Sequence, residues 1–172
     1  MNTVRNKMIV LGIDPGYAIL GYGVIRTEKT KQTVLDYGVI QTDTSMTFPE
    51  RLERLYAGTA ALIEKFRPDH VAFEELFFAR NTKTALQVAA ARGVAILAAQ
   101  QSGLPLYEYT PMQIKLSVTG DGHADKLQVQ TMVKLLLNLK KIPKPDDAAD
   151  ALGAALCHAN TAGPTGEDYR IK

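Results

Sequence analysis

Three apolar, β-branched runs crowd into the first 42 residues, with short connections between them. They are "KMIVLGID" (7–14), "GYGVIRT" (21–27) and "QTVLDYGVIQT" (32–42). Val, Ile and Tyr favour a pleated, half-buried surface. Connections this short cannot carry the crossover that parallel neighbours need, so the three runs predict an antiparallel meander. The hydrophobic period then changes. Leu52, Leu55, Tyr56, Thr59, Leu62, Ile63 and Phe66 recur at steps of three and four, one face of a helix over 48–68. Pro49 suits its first turn, and Pro68 stops it. A meander followed by alternating helices and strands points to one mixed sheet with helices on its faces.

The remaining signals extend this pattern. "DHVAFEELF" (69–77) reads as a fourth strand, and "PLYEY" (105–109) as a fifth. An Ala-rich helix lies between them over 82–103, with Gly103 as its C-cap. Thr110 and Pro111 mark an N-cap followed by proline at the first helical position. Two more helices cover 125–139 and 146–160. The order β-β-β-α-β-α-β-α-α is that of the ribonuclease-H-like α/β fold, a five-stranded mixed sheet in which the meander is joined by parallel strands and flanked by helices. No repeat, low-complexity tract or linker interrupts the 172 residues, so a single domain over 1–172 is expected. Residues 1–7 form an extension and 162–172 a tail of turn composition, both expected to be flexible.

Several classes are disfavoured. Cys157 is the one cysteine, which leaves no disulfide framework and no Cys-rich zinc site. No apolar run approaches the ~20 residues of a membrane span. "MNTVRNK" has no apolar signal-peptide region, so a cytoplasmic location is expected. Net charge is only +2, but it is unevenly spread. Residues 1–75 carry 9 basic and 10 acidic side chains, 76–145 carry 9 and 3, and 146–172 carry 2 and 5. A basic block of this kind suits a polyanionic partner or, more plainly, a solvated lysine face.

The acids are less easily explained as surface. Asp14 ends the run "IVLGID" and is followed by Pro15 and Gly16, so it is a turn residue, part of a phosphate loop or a metal ligand. Glu74 follows "VAF", with Glu75 as an alternative. In the expected order the first and fourth strands are parallel neighbours, which brings Asp14 beside Glu74. "DDAADAL" supplies Asp146, Asp147 and Asp150 on a helix; spacings of three and four both keep a pair on one face. Asp146 and Asp147 also suit the positive end of a helix dipole. Converging carboxylates raise one another's pKa and call for a cation. Oxygen-only ligation suits magnesium or manganese, and a two-metal site serves phosphodiester hydrolysis.

The chain resembles the RuvC family of Holliday-junction resolvases. The resemblance rests on "LGIDPGYAILGYGVI", "FEELFFARN", "AAARGVAILAA", "MQIKLSVTGDGHADKLQV" and "DDAADALGAAL", five motifs in order from Met8 to about His158. It implies a homodimeric crossover junction endodeoxyribonuclease that nicks two strands of like polarity in recombination and repair, leaving 5′-phosphate and 3′-hydroxyl ends. It implies two Mg²⁺ per subunit, with Mn²⁺ as a substitute, and a RuvA–RuvB branch-migration complex as partner. Carried over residue by residue, it assigns the metal ligands to Asp14, Glu74, Asp147 and Asp150. Lys115 and Lys126 match lysines near the scissile phosphate, flanking the glycine-rich "TGDG". Phe77, with Phe78 as its rival, matches an aromatic that meets junction bases. Arg80, Asn81 and Lys83 join Lys115 and Lys126 as expected DNA contacts. The Ala-rich helix would be the dimer contact, unless it simply packs on the sheet.

Two other readings compete. An actin-like ATPase or sugar kinase has a similar Asp-Gly turn, but needs a second domain that 172 residues cannot supply. A non-catalytic junction binder would not need all four acids.

Overall fold

The structure, a computed structural model, describes residues 7–76, 82–161 and 166–172, and among these the side chains of residues 82, 83, 166 and 167 are not described. Five strands form one sheet: β1 (Lys7–Asp14), β2 (Ile19–Glu28), β3 (Lys31–Gln41), β4 (His70–Glu74) and β5 (Leu106–Tyr109). Their order across the sheet is β3-β2-β1-β4-β5. β1, β2 and β3 pair antiparallel, as their short connections require; β4 pairs parallel with β1, and β5 with β4. The expected meander with added parallel strands is the observed sheet.

Five helices flank it: α1 (Phe48–Phe66), α2 (Thr82–Gln101), α3 (Pro111–Thr119), α4 (Lys126–Leu136) and α5 (Asp146–Thr161). That is one helix more after β5 than the element order drawn from the sequence. The start at Thr110 opens a nine-residue helix of its own, capped by the Thr110 hydroxyl and ended at Gly120, whose φ of 81° favours glycine. α4 then starts afresh behind the Asp125 cap, where the Gln128 amide N–H donates to the Asp125 carboxylate at 2.9 Å. This restart makes Lys126 the first residue of α4. α1 begins at Phe48 with Pro49 in its first turn, as expected, and its N-cap is Thr47.

Strand alternation divides the core into two layers. Leu11, Ile13, Val71 and Phe73 face α1 and α2, where Leu55, Ile63, Ala91 and Ala95 are buried. Val10 and Ala72 face the other way, toward α3, α4 and α5. His158 is fully buried there, held between His70 Nδ1 and the Tyr109 hydroxyl at 2.7 Å each, and burial pushes its pKa down to about 3. The end of the tail, expected to fray, lies along the sheet. Tyr169 packs on Tyr109, Arg170 bridges Tyr107, and the Ile171 N–H donates to Leu106 O.

α2 buries one face and leaves an apolar face outward. Ala91, Ala95, Ala98 and Ala99 are buried, whereas Leu86 is 73% exposed and Leu97 49%. Between those two leucines, at helical spacing, a side chain on Gly93 would meet no atom within 4 Å.

Candidate active site

Two strand ends and one helix bring the acids together. Asp14 is the last residue of β1 and Glu74 the last of β4. The preceding residues, Ile13 and Phe73, are register partners, so the two carboxylates leave adjacent parallel strands side by side. Alternation turns both toward the α5 face, with Gly12 and Ala72. Glu75 lies elsewhere, in a groove with Arg92 and Glu108.

α5 supplies the other acids because it lies unusually close to the sheet. A Cβ on Gly12 would fall 2.0 Å from Ala151 O, and one on Gly21 2.0 Å from Asp147 O. Any side chain at either position would collide with helix backbone. Gly21 is also the strand partner of Asp14, so the contact that seats α5 sits beside the β1 carboxylate. These strand glycines were not singled out from the sequence; a glycine inside a strand pattern is the signal for close backbone approach.

The electrostatics show how tightly the acids are coupled. Burial, then the charges of Glu74, Asp150 and Asp147, push the Asp14 pKa up to about 8, against the opposing field of Lys126. Burial and Asp150 push Glu74 up to about 7, with Lys126 and Lys115 opposing. Asp150 is raised as well, chiefly by burial. Asp146 behaves in the opposite way. Its hydrogen bonds to Lys144 and Lys126 hold it down at about 2.

Lys126 Nζ lies 3.3 Å from Asp146 and 3.4 Å from Asp150. Burial acts to lower its pKa, but the two carboxylates prevail and raise it. Asp146 also pairs with Lys144 at 2.6 Å. Asp146 therefore belongs to a lysine network, and this is a role that helix spacing alone did not reveal. Lys115 joins Lys126, Glu74 and Asp150 around a cavity of about 230 Å³. Asp147 lines a second and larger groove on the opposite side. Phe77, Phe78, Arg80 and Asn81 lie outside the described residues, and the Lys83 side chain does too.

Among the described residues no three His, Cys, Asp or Glu side chains converge closely enough to hold a metal ion as they stand. Glu74 and Asp150 line the cavity with Lys115 and Lys126, Asp147 lines the second groove, Asp14 ends β1 beside Glu74, and Lys126 supplies the local positive charge. The donor chemistry nevertheless fits a hard divalent cation, because the cleft offers carboxylate oxygens whose mutual repulsion a cation relieves.

A family model described as "Crossover junction endodeoxyribonuclease RuvC" matches residues 10–158. The chain belongs to the RuvC family. It is 58% identical to the RuvC of Ruminiclostridium cellulolyticum over 154 residues, covering 90% of this chain and 93% of the relative. It is 56% identical to the RuvC of Alkaliphilus oremlandii, covering 96% and 100%. Among solved structures, Thermus thermophilus RuvC superposes with a TM-score of 0.84 at 42% identity, covering 90% and 95%. The T. thermophilus RuvC complex with a Holliday junction substrate gives 0.82 at 39% identity, covering 90% and 94%. A fowlpox virus resolvase, 13% identical with a TM-score of 0.54, shares the fold. The ribonuclease-H-like architecture expected from the element order is thus the architecture of this RuvC-family chain.

Proposed function

We propose that this chain resolves Holliday junctions by hydrolysing phosphodiester bonds at the cleft between β1, β4 and α5. One observation carries the reading. Glu74 and Asp150 share one cavity with Lys115 and Lys126, Asp14 ends the neighbouring strand beside Glu74, and all three acids have raised pKa values. Such a cleft needs a cation and, beside it, suits a phosphate.

Asp14, Glu74, Asp147 and Asp150 would hold two Mg²⁺ ions, with Mn²⁺ as a substitute. When bound, such ions activate the attacking water and offset charge on the departing 3′ oxygen. Asp14 and Glu74 are fixed by strand ends and keep the cleft in place as substrate arrives. Lys115 and Lys126 offset the negative charge that builds on the phosphate in the transition state. Phe77 would meet junction bases, and Arg80, Asn81 and Lys83 the backbone.

Two such sites in a homodimer would face two strands of like polarity, leaving 5′-phosphate and 3′-hydroxyl ends. The outward face of α2, with Leu86, Gly93 and Leu97, is suited to a twofold contact. A RuvA–RuvB branch-migration complex would deliver the junction. No described helix is long and apolar enough to cross a membrane, and a cytoplasmic location fits this role.

The test is a synthetic four-way junction with Mg²⁺ and mapped nicks, run beside a linear duplex of the same sequence. Asp14→Asn is expected to abolish nicking while gel-shift binding persists. An Asp14→Asn variant that cuts at the parental rate would overturn the reading.

A further inference from the structure

The groove lined by Asp147 is distinct from the Lys115–Lys126 cavity, and Arg51 in its wall lies outside the five motifs. It encloses about 750 Å³ between the β1–β2 turn and the starts of α1 and α2. That volume falls within the roughly 300–1,000 Å³ of small-ligand clefts, enough for a nucleotide unit. Its wall is an aromatic and basic cluster. The Arg51 guanidinium lies 4.8 Å from the centre of the Tyr17 ring, and Phe48 packs against the same ring at 5.7 Å.

Arg51 is oriented from behind. Its Nε donates to Asp43 O at 2.9 Å, and its charge helps to hold the Asp43 carboxyl below its ordinary pKa. A guanidinium resting on an aromatic face retains its terminal N–H fork for a planar or tetrahedral oxyanion. Phe48 is 45% exposed, so the cluster also offers an apolar surface to a sugar or an unstacked base. The position relative to the acids decides between possible anions. Glu74 and Asp150 face the Lys115–Lys126 cavity, whereas Asp147 faces the Arg51 groove. A polyanion lying in both must pass over the carboxylates.

We infer that Tyr17 and Arg51 form a second DNA subsite, which seats a backbone phosphate of the cleaved strand on the α1 side of the cut, opposite Lys115 and Lys126. The inference rests on the nuclease reading above. It adds a DNA contact from the segment 1–75, whose balanced charge gave no such signal.

The test is junction affinity by gel shift in EDTA, so that no strand is cut, for the unaltered chain and Arg51→Gln. A single uncharged methylphosphonate linkage is placed in turn at each of the three positions on either side of the cleavage site. Arg51→Gln is expected to weaken binding about 10- to 100-fold, the worth of a hydrogen bond to a charged group. The weakening is expected to vanish when one particular linkage is already neutral. Should Arg51→Gln melt early, Arg51→Lys carries the same comparison, with a smaller loss at the same linkage because it lacks the fork. Binding unaffected by either variant overturns the subsite, as does a loss that no single neutral linkage removes. If the unaltered chain fails to bind four-way DNA, the nuclease reading falls and this subsite with it. If the chain binds and Arg51 is indifferent, only the subsite falls.

Discussion

Lys126 Nζ stands 3.4 Å from a carboxylate oxygen of Asp150. The lysine lowers the pKa of Asp14, Glu74 and Asp150 together, so it is the counter-charge of the whole cleft. Removing it has a defined sign. In Lys126→Ala the carboxyls ionise at higher pH, so the acid limb of the rate profile should move to more alkaline pH. Lost charge stabilisation should also slow cleavage by about 100-fold or more. Cleavage rates between pH 5.5 and 9 check both. An unshifted acid limb would show that the lysine does not set the acids.

Asp146 and Asp147 are expected to separate in function. Asp146→Asn takes one partner from Lys126 and Lys144, and should reduce the rate modestly, by about 2- to 10-fold. Asp147→Asn should be as damaging as Asp14→Asn. Single-turnover cleavage of a four-way junction by both variants makes the comparison. Equal loss in the two would return Asp146 to the list of ligands.

Asp14 should make the metal-free protein less stable as pH rises. Its pKa is about 8 when folded, against an ordinary value of 3.8, so the folded state binds the extra proton between those limits. Stability is therefore full below about pH 4 and is lost as pH rises through about 8. Asp14→Asn does not titrate, so its advantage over the parent should grow from pH 5 to pH 8. A difference of about 1 kcal/mol would appear as roughly 2–4 °C in melting temperature for a chain of this size. Added Mg²⁺ should raise the melting temperature of the parent and have less effect on the variant. Parallel melting curves for the two proteins across this pH range would contradict the raised pKa.

Gly21→Ala should damage catalysis more than its size suggests. Its Cβ would fall 2.0 Å from Asp147 O, so α5 must move away from the sheet. A displacement of about 1 Å at a reacting centre can cost about 100-fold in rate. We expect a loss of that order, with the melting temperature lowered as well. A circular dichroism melt beside the cleavage assay separates the displaced site from gross unfolding.

The proposed α2 interface predicts that Leu97→Glu yields a monomer in sedimentation. Such a monomer should bind a junction weakly and should not make paired, symmetric nicks. A dimer that persists unchanged would move the interface to another face.

Much of this was legible in the sequence because periodicity and punctuation agree. The meander, the α1 face with Pro49 in its first turn and the cap at Thr110 need only local rules, and they stand where those rules put them. That Asp14 and Glu74 end neighbouring parallel strands was legible from the element order, which places the first and fourth strands side by side. Asp146 was not, since both helical spacings are allowed and only the positions of Lys126 and Lys144 distinguish it from Asp147. The helix α3 was undercounted because its glycine stop reads equally well as a loop within a longer helical stretch. Arg51 was hidden for a different reason: its neighbours in sequence balance its charge, while its neighbours in space are Tyr17 and Phe48.

The backbone contact between α5 and the glycines of β1 and β2 bears on how such a protein can change over evolutionary time. Most helix–sheet distances depend on the bulk of intervening side chains, so they drift as cores are repacked. Here the close approach at Gly12 and Gly21 is between main-chain atoms, with no room for a side chain at either position. Repacking of the surrounding core therefore has less leverage on the gap between the Asp14 carboxylate and those of α5 than on a separation set by side chains. The sequence is free to diverge widely while the reacting geometry stays at one setting.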